Sequence, residues 1–467
     1  MSPVLILVIG VAALLSLIVV LRLNAFIALI ITAILVSLLS PGETAEKVSR
    51  VAAGFGQVMG SIGIVIALAA VMGKCLSDSG AADRIIRSFS NALGEKKAAW
   101  ALMGSGFILS IPVFFDTVFY LLIPLARSMW RRTQKNYMLY ILAIVAGAGI
   151  THTLIPPTPG PLFMASQFNI DLGLMIGIGL LVSIPAAVVT MYVCRIINKY
   201  RDLPMRPYSG ETEPEPLSDE HLPPLWLAVL PVILPVVLIS MNTVAKAIVS
   251  AQAAAIAEAA ASNVIPFSKK IANITAILGD PNMALLISAL IAMYVLVRQR
   301  KLTLKELGDV VHKSLMVGGG MILITAGGGA FGKMLQYTGI QQTIENWIGS
   351  GSQAFGITIL LMGFAVSSLM KISLGSGTVA MMTASSMFAA MGLTKEQLGL
   401  NPVYLAMAIG SGSLVGDWMN NGGFWVFARM SVLTETECLK SWTILTAALG
   451  ITGLGFTILF AAILPMV

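Results

Sequence analysis

The sequence predicts an all-α polytopic membrane protein made of two inverted repeats, each with a re-entrant hairpin and a broken transmembrane helix. Three observations predict it. The 467 residues are 57% hydrophobic and 11% charged, with a mean hydropathy of +0.88, more apolar surface than a water-soluble core can hide. Two stretches inside apolar sequence, GAGITHTLIPPTPGPLF at residues 147–163 and GSGSLVGDWMNNGGFWVF at residues 410–427, cannot continue as helix. In the first, Pro156, Pro157, Pro159 and Pro161 lack an N–H and block the carbonyl one turn back; in the second, glycines alternate with Asp417, Asn420 and Asn421. Open backbone at membrane depth is tolerated only where it lines a site, and such breaks in matching halves point to a transporter's binding site. The third observation is a repeat. Gly73, Lys74 and Gly80 align with Gly332, Lys333 and Gly339 at an offset of 259 (332 minus 73), and the two breaks align at 263 (410 minus 147).

Residues 3–21 and 25–40 are each about long enough to cross, with Arg22 between them. No positive residue precedes Arg22 and no small-residue cleavage signal follows, so the first run reads as a retained span rather than a signal peptide. Residues 51–76 form a third span. Then Ile85, Ile86, Phe89 and Leu93 recur at helical spacing, with Arg84, Arg87 and Asn91 between them, as in an interfacial helix. Residues 98–126 carry IPVFFDT (111–117) in their middle and are basic at both edges, with Lys96 and Lys97 before and Arg127, Arg131, Arg132 and Lys135 after. With positive loops cytoplasmic, this segment enters and leaves on one side as a hairpin. The first break crosses outward, and residues 171–194 return to the basic stretch 195–206.

Residues 200–224 are the only long polar linker, rich in proline and acid, and read as a mobile cytoplasmic connection. They separate a first repeat, 1–199, from a second, 225–467. Residues 225–243 cross outward; an alanine-rich amphipathic region runs to about Gly279; residues 282–297 return to Arg298, Arg300 and Lys301. Residues 315–335 follow, then 352–392, where the repeat offset makes SLGSGT (373–378) a second hairpin tip. The second break and residues 441–466 end the chain. Because each half crosses an odd number of times, the second lies upside down. The segment 394–402, with one lysine and one acid where its counterpart is strongly basic, reads as external, and both termini as periplasmic.

The net charge of +7 sits mostly in short loops, which sets orientation in a lipid membrane and does not call for a nucleic-acid partner. Cys75, Cys194 and Cys438 lack metal or disulfide spacing and read as packing residues. Only Asp116 and Asp417 fall inside apolar segments, where a charge costs at least about 2.5 to 3.5 kcal/mol. Each is either a proton-coupling group or a cap on a broken helix. His152 titrates near working pH, and reads equally as a proton carrier or as a donor to a helix-end carbonyl. Hydroxyls and amides mark the four discontinuities: Thr117; Thr153 and Thr158; Ser373, Ser376 and Thr378; Asn420 and Asn421. With exposed helix N-termini they suit a small hydroxylated anion, although each hydroxyl can instead bond its own backbone. Lys371, beside the second tip, reads either as a partner for a carboxylate or, the favoured reading, as snorkelling to the interface; Lys74 and Lys333 are expected to snorkel. His221 and His312 read as loop residues without a role. The glycine runs at 318–320 and 327–329 read as close helix packing, since no P-loop lysine follows.

With PVFFDTVFYLLIPLA (112–126), HTLIPPTPGPL (152–162), LGSGTVA (374–380) and GDWMNNGGFWV (416–426) in one order, the chain resembles the gluconate permease family from about residue 5 to its end. That resemblance implies an inner-membrane proton symporter for gluconate or a related sugar acid, with some relatives taking D-serine. The family looks related to the larger ion transporter group, in which hairpins and broken helices form a mobile domain beside a dimeric scaffold. The resemblance therefore implies an elevator-like movement and a homodimer, with Asp116, Thr117, His152, Thr153, Ser376, Thr378, Asp417, Asn420 and Asn421 at the site. No cofactor is expected, and the lack of a nucleotide motif argues against a primary pump. An intramembrane enzyme lacks a Ser-His-Asp signature or an HExxH; a passive anion channel would differ by showing no counterflow.

Overall fold

The computed structural model describes residues 1–94, 97–201, 203–207, 222–251, 267–340 and 354–466. The linker residues 208–221, with His221, and the alanine-rich residues 252–261 lie outside the described residues. Helix α1 (Pro3–Leu15) starts on a Ser2 cap with proline at its first position and continues through one π turn, Ser16–Val20. Asn24 caps α2 (Ala25–Leu39), which at 15 residues is shorter than a full crossing. Helix α3 (Glu46–Asp78) has 33 residues, about 50 Å. The short helix α4 (Ala81–Leu93) buries Ile85 and Ile86, as its apolar stripe predicts.

The first hairpin comprises α5 (Ala98–Leu109) and α6 (Phe115–Thr133). Its turn closes at residue 114, earlier than the expected tip at 111–117, so Asp116 and Thr117 sit in the first turn of α6. Helix α7 (Tyr137–Leu154) stops at the proline run, α8 (Pro159–Gln167) resumes beyond it, and α9 (Leu172–Tyr200) returns. The second half contains α10 (Leu225–Ala251), α11 (Phe267–Leu278), α12 (Pro281–Arg300) and α13 (Leu304–Gln336). Its hairpin is α14 (Ala354–Leu374) and α15 (Gly377–Ala390), and the short α16 (Lys395–Leu398) follows. Helix α17 (Pro402–Gly412) ends at the second break, after which come α18 (Gly422–Ser431), α19 (Glu435–Leu439) and α20 (Trp442–Ile463). Among the described residues, nine helices are long and apolar enough to cross a membrane.

Two spans are longer than expected. Polar turns extend α3 back to Glu46, and a Thr303–Glu306 capping box starts α13 eleven residues before residue 315 (315 minus 304), so His312 is helical and exposed rather than in a loop. The two helices, 33 residues each, pack antiparallel: Gly54 lies at Lys333, Gly63 at Ile322 and Gly318 at Ala70, and a Cβ on Gly329 would come within 2.2 Å of Val58. These glycines let two long helices touch along their length. Arg300 Nε donates to the Asp78 carbonyl (2.7 Å), fixing the end of α3 beside the start of α13.

A small apolar cluster of Ile6, Leu14, Leu29, Val36, Phe331 and Leu335 unites α1 and α2 with the end of α13. A larger one holds the hairpins and breaks. The start of the linker is anchored, contrary to the mobile connection expected there. Arg206 forks onto both carboxylate oxygens of Glu437 (2.8 and 2.6 Å), and buried Arg127 donates to the Arg206 carbonyl (2.9 Å). Each hairpin's first arm lies flush on its broken helix. A Cβ on Gly147 would sit 2.0 Å from the Met103 carbonyl oxygen, and one on Gly412 would sit 2.3 Å from that of Phe364. Backbone on both sides cannot yield, so Gly147→Ala is expected to cost about 1–3 kcal/mol, read as a lower melting temperature in detergent.

Candidate functional site

In the second half, α14 ends at Gly375, whose φ of +78° turns the chain at the hairpin tip. Lys371 reaches forward past the end of its own helix and donates from Nζ to the Gly375 carbonyl (2.8 Å), a helix-end carbonyl without an intrahelical donor. The same ammonium lies 3.1 Å from Asp417 Oδ2 in the second break, and both side chains are buried, 2% and 7% exposed. Asn421 Nδ2 donates to both Asp417 oxygens (2.7 and 2.8 Å), while Asn421 Oδ1 accepts from Gly423 N (3.2 Å) and so caps α18. Asn420 Nδ2 (2.8 Å) and Trp418 Nε1 (3.1 Å) both donate to the Ile372 carbonyl. Ser376 caps α15 through Val379 N (3.4 Å). Hairpin tip and break are thus pinned together by one ion pair and shared backbone acceptors.

In the first half, the break is held by local bonds. Thr158 Oγ1 donates to the carbonyls of His152 and Ile155 (2.8 Å each), and Thr153 Oγ1 donates to Gly149 O (2.8 Å). These two threonines use their donors on their own backbone and shape the break. The His152 ring stands edge-on to Phe114 of the first hairpin tip (6.1 Å between centroids), and its buried Nδ1 has no hydrogen-bond partner among the described residues. Asp116 is exposed, and among the described residues no hydrogen bond or ion pair holds it. Thr117 faces a cavity of about 180 Å³ against α3 and α13, lined also by Phe114, Lys74 and Lys313. Ser373 and Thr378 are half-buried and, among the described residues, make no side-chain hydrogen bond.

The fold therefore gathers Asp417, Asn420, Asn421 and Ser376 around one tip and sets His152 against the other, while Thr117 lines the cavity between the first tip and α3 and α13. A profile described as GntP family permease matches residues 2–463. The chain belongs to this family. This GntP-family permease is accordingly a multi-pass membrane transporter, not an enzyme. The high-affinity gluconate transporter of Escherichia coli (strain K12) is 31% identical, over 97% of this chain and 98% of the relative. The Gnt-II system L-idonate transporter of the same strain is 28% identical, over 97% of each. Among solved structures, the Alcanivorax borkumensis YdaH transporter superposes with a TM-score of 0.61 at 12% identity, covering 94% of this permease and 98% of that chain, a likeness of fold alone.

Lys371 corrects the sequence reading. In place of snorkelling to the interface it is buried and ties the second hairpin tip to the second break. Its partner lies 46 residues on (417 minus 371), so no local spacing announces the pair. The available signal was the aspartate itself: a carboxylate in a break at membrane depth calls for a cation, and Lys371 is the one beside the second tip. Lys74 pairs with Asp78 (2.8 Å) at the end of α3. The tip of this permease is also intolerant of side chains. A Cβ at Gly375 would lie 2.2 Å from the Asn420 carbonyl oxygen, in left-handed backbone. Gly375→Ala is expected to lower stability by about 1–3 kcal/mol and to weaken substrate protection against heating.

Proposed function

We propose that this permease is a proton-coupled symporter for gluconate or a related sugar acid in the inner membrane. The observation that carries this reading is the pinning of the second hairpin tip to the second break by Lys371, Asp417, Asn420 and Asn421, where open backbone meets polar side chains among the apolar helices of a permease. Gluconate and L-idonate, for which two relatives are named, are both polyhydroxy acids, which suits hydroxyls left free at the tips. On this reading Thr117, Ser373, Ser376 and Thr378, with the amides of Asn420 and Asn421, bind the polyol and carboxylate. Thr153 and Thr158 hold the first break open. Asp116 takes the proton, Asp417 remains charged beside Lys371, and His152 lines the first tip.

The same reading divides the chain into inverted repeats, 1–199 and 225–467, joined by the 200–224 linker, with both termini periplasmic. Antiparallel α3 and α13 support it, as does the contact of Arg206, past the end of α9, with Glu437 in the segment that the repeat aligns with the start of α9. Hairpins and breaks move elevator-fashion against α1–α3, α12 and α13, whose outer faces meet lipid and a second copy in a homodimer. Radiolabelled gluconate uptake into proteoliposomes tests the core of this. Uptake should rise with an inward proton gradient, and unlabelled L-idonate should compete better than D-serine. Gradient-independent uptake would remove the coupling, and stronger competition by D-serine would reassign the substrate.

A further inference from the structure

The ammonium of Lys371 has two oxygen ligands from two different elements: the Gly375 carbonyl at the hairpin tip (2.8 Å) and Asp417 Oδ2 in the break (3.1 Å). One is a helix-end carbonyl, partially negative, and the other is a full anion; both are buried. That is the ligand chemistry of a desolvated monovalent cation, here supplied on a four-carbon stem. The surrounding groups are arranged as a second layer. Asn421 orients both carboxylate oxygens, and the neighbouring Ile372 carbonyl is already taken by Asn420 and Trp418.

The repeat sharpens the point. At the offset of 259, Lys371 corresponds to Pro112, and at 263 Asp417 corresponds to Leu154. The first half therefore has neither member of the pair, and the charge arrangement belongs to the second tip alone.

We propose that Lys371 is a tethered cation, filling the position between the second hairpin tip and the second break that would otherwise take a free monovalent cation. The second half of the site then assembles without sodium or potassium, and Asp417 stays ionised throughout the cycle as the fixed partner of a fixed charge. This deepens the transport reading for the same site, yet its central test needs no substrate. Failure of that reading and failure of this proposal are therefore separable.

The test compares melting temperatures of the full-length protein, purified in sodium, after exchange into sodium, methylammonium or N-methylglucamine chloride at one ionic strength. The wild type should be indifferent to the exchange. In Lys371→Ala, sodium or methylammonium should enter the vacated position and raise the melting temperature by about 2–5 °C over N-methylglucamine, and restore several-fold of the lost uptake. Lys371→Ala/Asp417→Asn, with the anion gone, should show no such rise. If Lys371→Ala does not purify as a monodisperse species, Lys371→Gln carries the same titration. The proposal is overturned by a wild type that loses stability without sodium, by a single variant blind to both small cations, or by a double variant that responds equally.

Discussion

Lys371→Met lowers the unfolding free energy by about 3–5 kcal/mol, and Lys371→Met/Asp417→Asn recovers most of that loss. The expectation follows from burial and asymmetry. With both side chains nearly inaccessible, removing one partner leaves an uncompensated charge where water cannot reach it, whereas removing both leaves a neutral pair of similar volume. Asp417→Asn alone should be comparably damaging, because it strands the ammonium between an amide and the Gly375 carbonyl. The cycle is read by thermal or denaturant unfolding in a fixed detergent, with the coupling term taken from the four proteins. Additive losses across the cycle would mean that the two charges are independently solvated and that the 3.1 Å contact is incidental. Asn421→Ala should sit between the extremes, since it removes both amide bonds to Asp417 and one helix cap while leaving the ion pair.

The breaks and hairpins were legible because they violate a strong rule. Four prolines in apolar sequence at 156–161, and an aspartate with two asparagines at 417–421, have no place in a continuous membrane helix, so the chain declares the open backbone by what it contains. The glycines on which the proposed repeat register rests sit where one backbone lies directly on another, as Gly147 does on Met103. Ends were less legible. Polar turns at 46–50 and 304–314 look like loops by hydropathy, yet they continue α3 and α13, because a helix leaving the membrane meets water without needing to stop. The hairpin tip was drawn too late for a related reason: Asp116 reads as turn chemistry, but a carboxylate is also at home in the first turn of a helix, where the positive dipole end lies. Which carboxylate Lys371 pairs with was not legible in local pattern, since the partner is distant in sequence and only folding brings the second tip to the second break.

Asp116→Asn abolishes gradient-driven accumulation while leaving exchange intact. Three candidates for the proton carrier, Asp417, His152 and Asp116, lie near the tips and breaks, and their surroundings differ in kind. Asp417 is neutralised by Lys371 and held by two amide bonds, so taking a proton would break an ion pair and strand an ammonium. His152 presents a buried Nδ1 with no partner and an aromatic neighbour, a poor route for proton exchange with water. Asp116 is exposed and, among the described residues, free of hydrogen bonds and ion pairs. Of the three it alone is both accessible and able to change charge without dismantling a structural contact. With one proton per substrate, an inward gradient of two pH units can drive roughly 100-fold accumulation; the asparagine variant should bring the ratio to about one, with unlabelled gluconate still exchanging for labelled. Asp116→Glu should keep the coupling, because the carboxylate remains in the first turn of α6. If Asp116→Asn still accumulates substrate with the wild-type response to pH, the proton travels elsewhere, and His152→Gln becomes the variant that must uncouple.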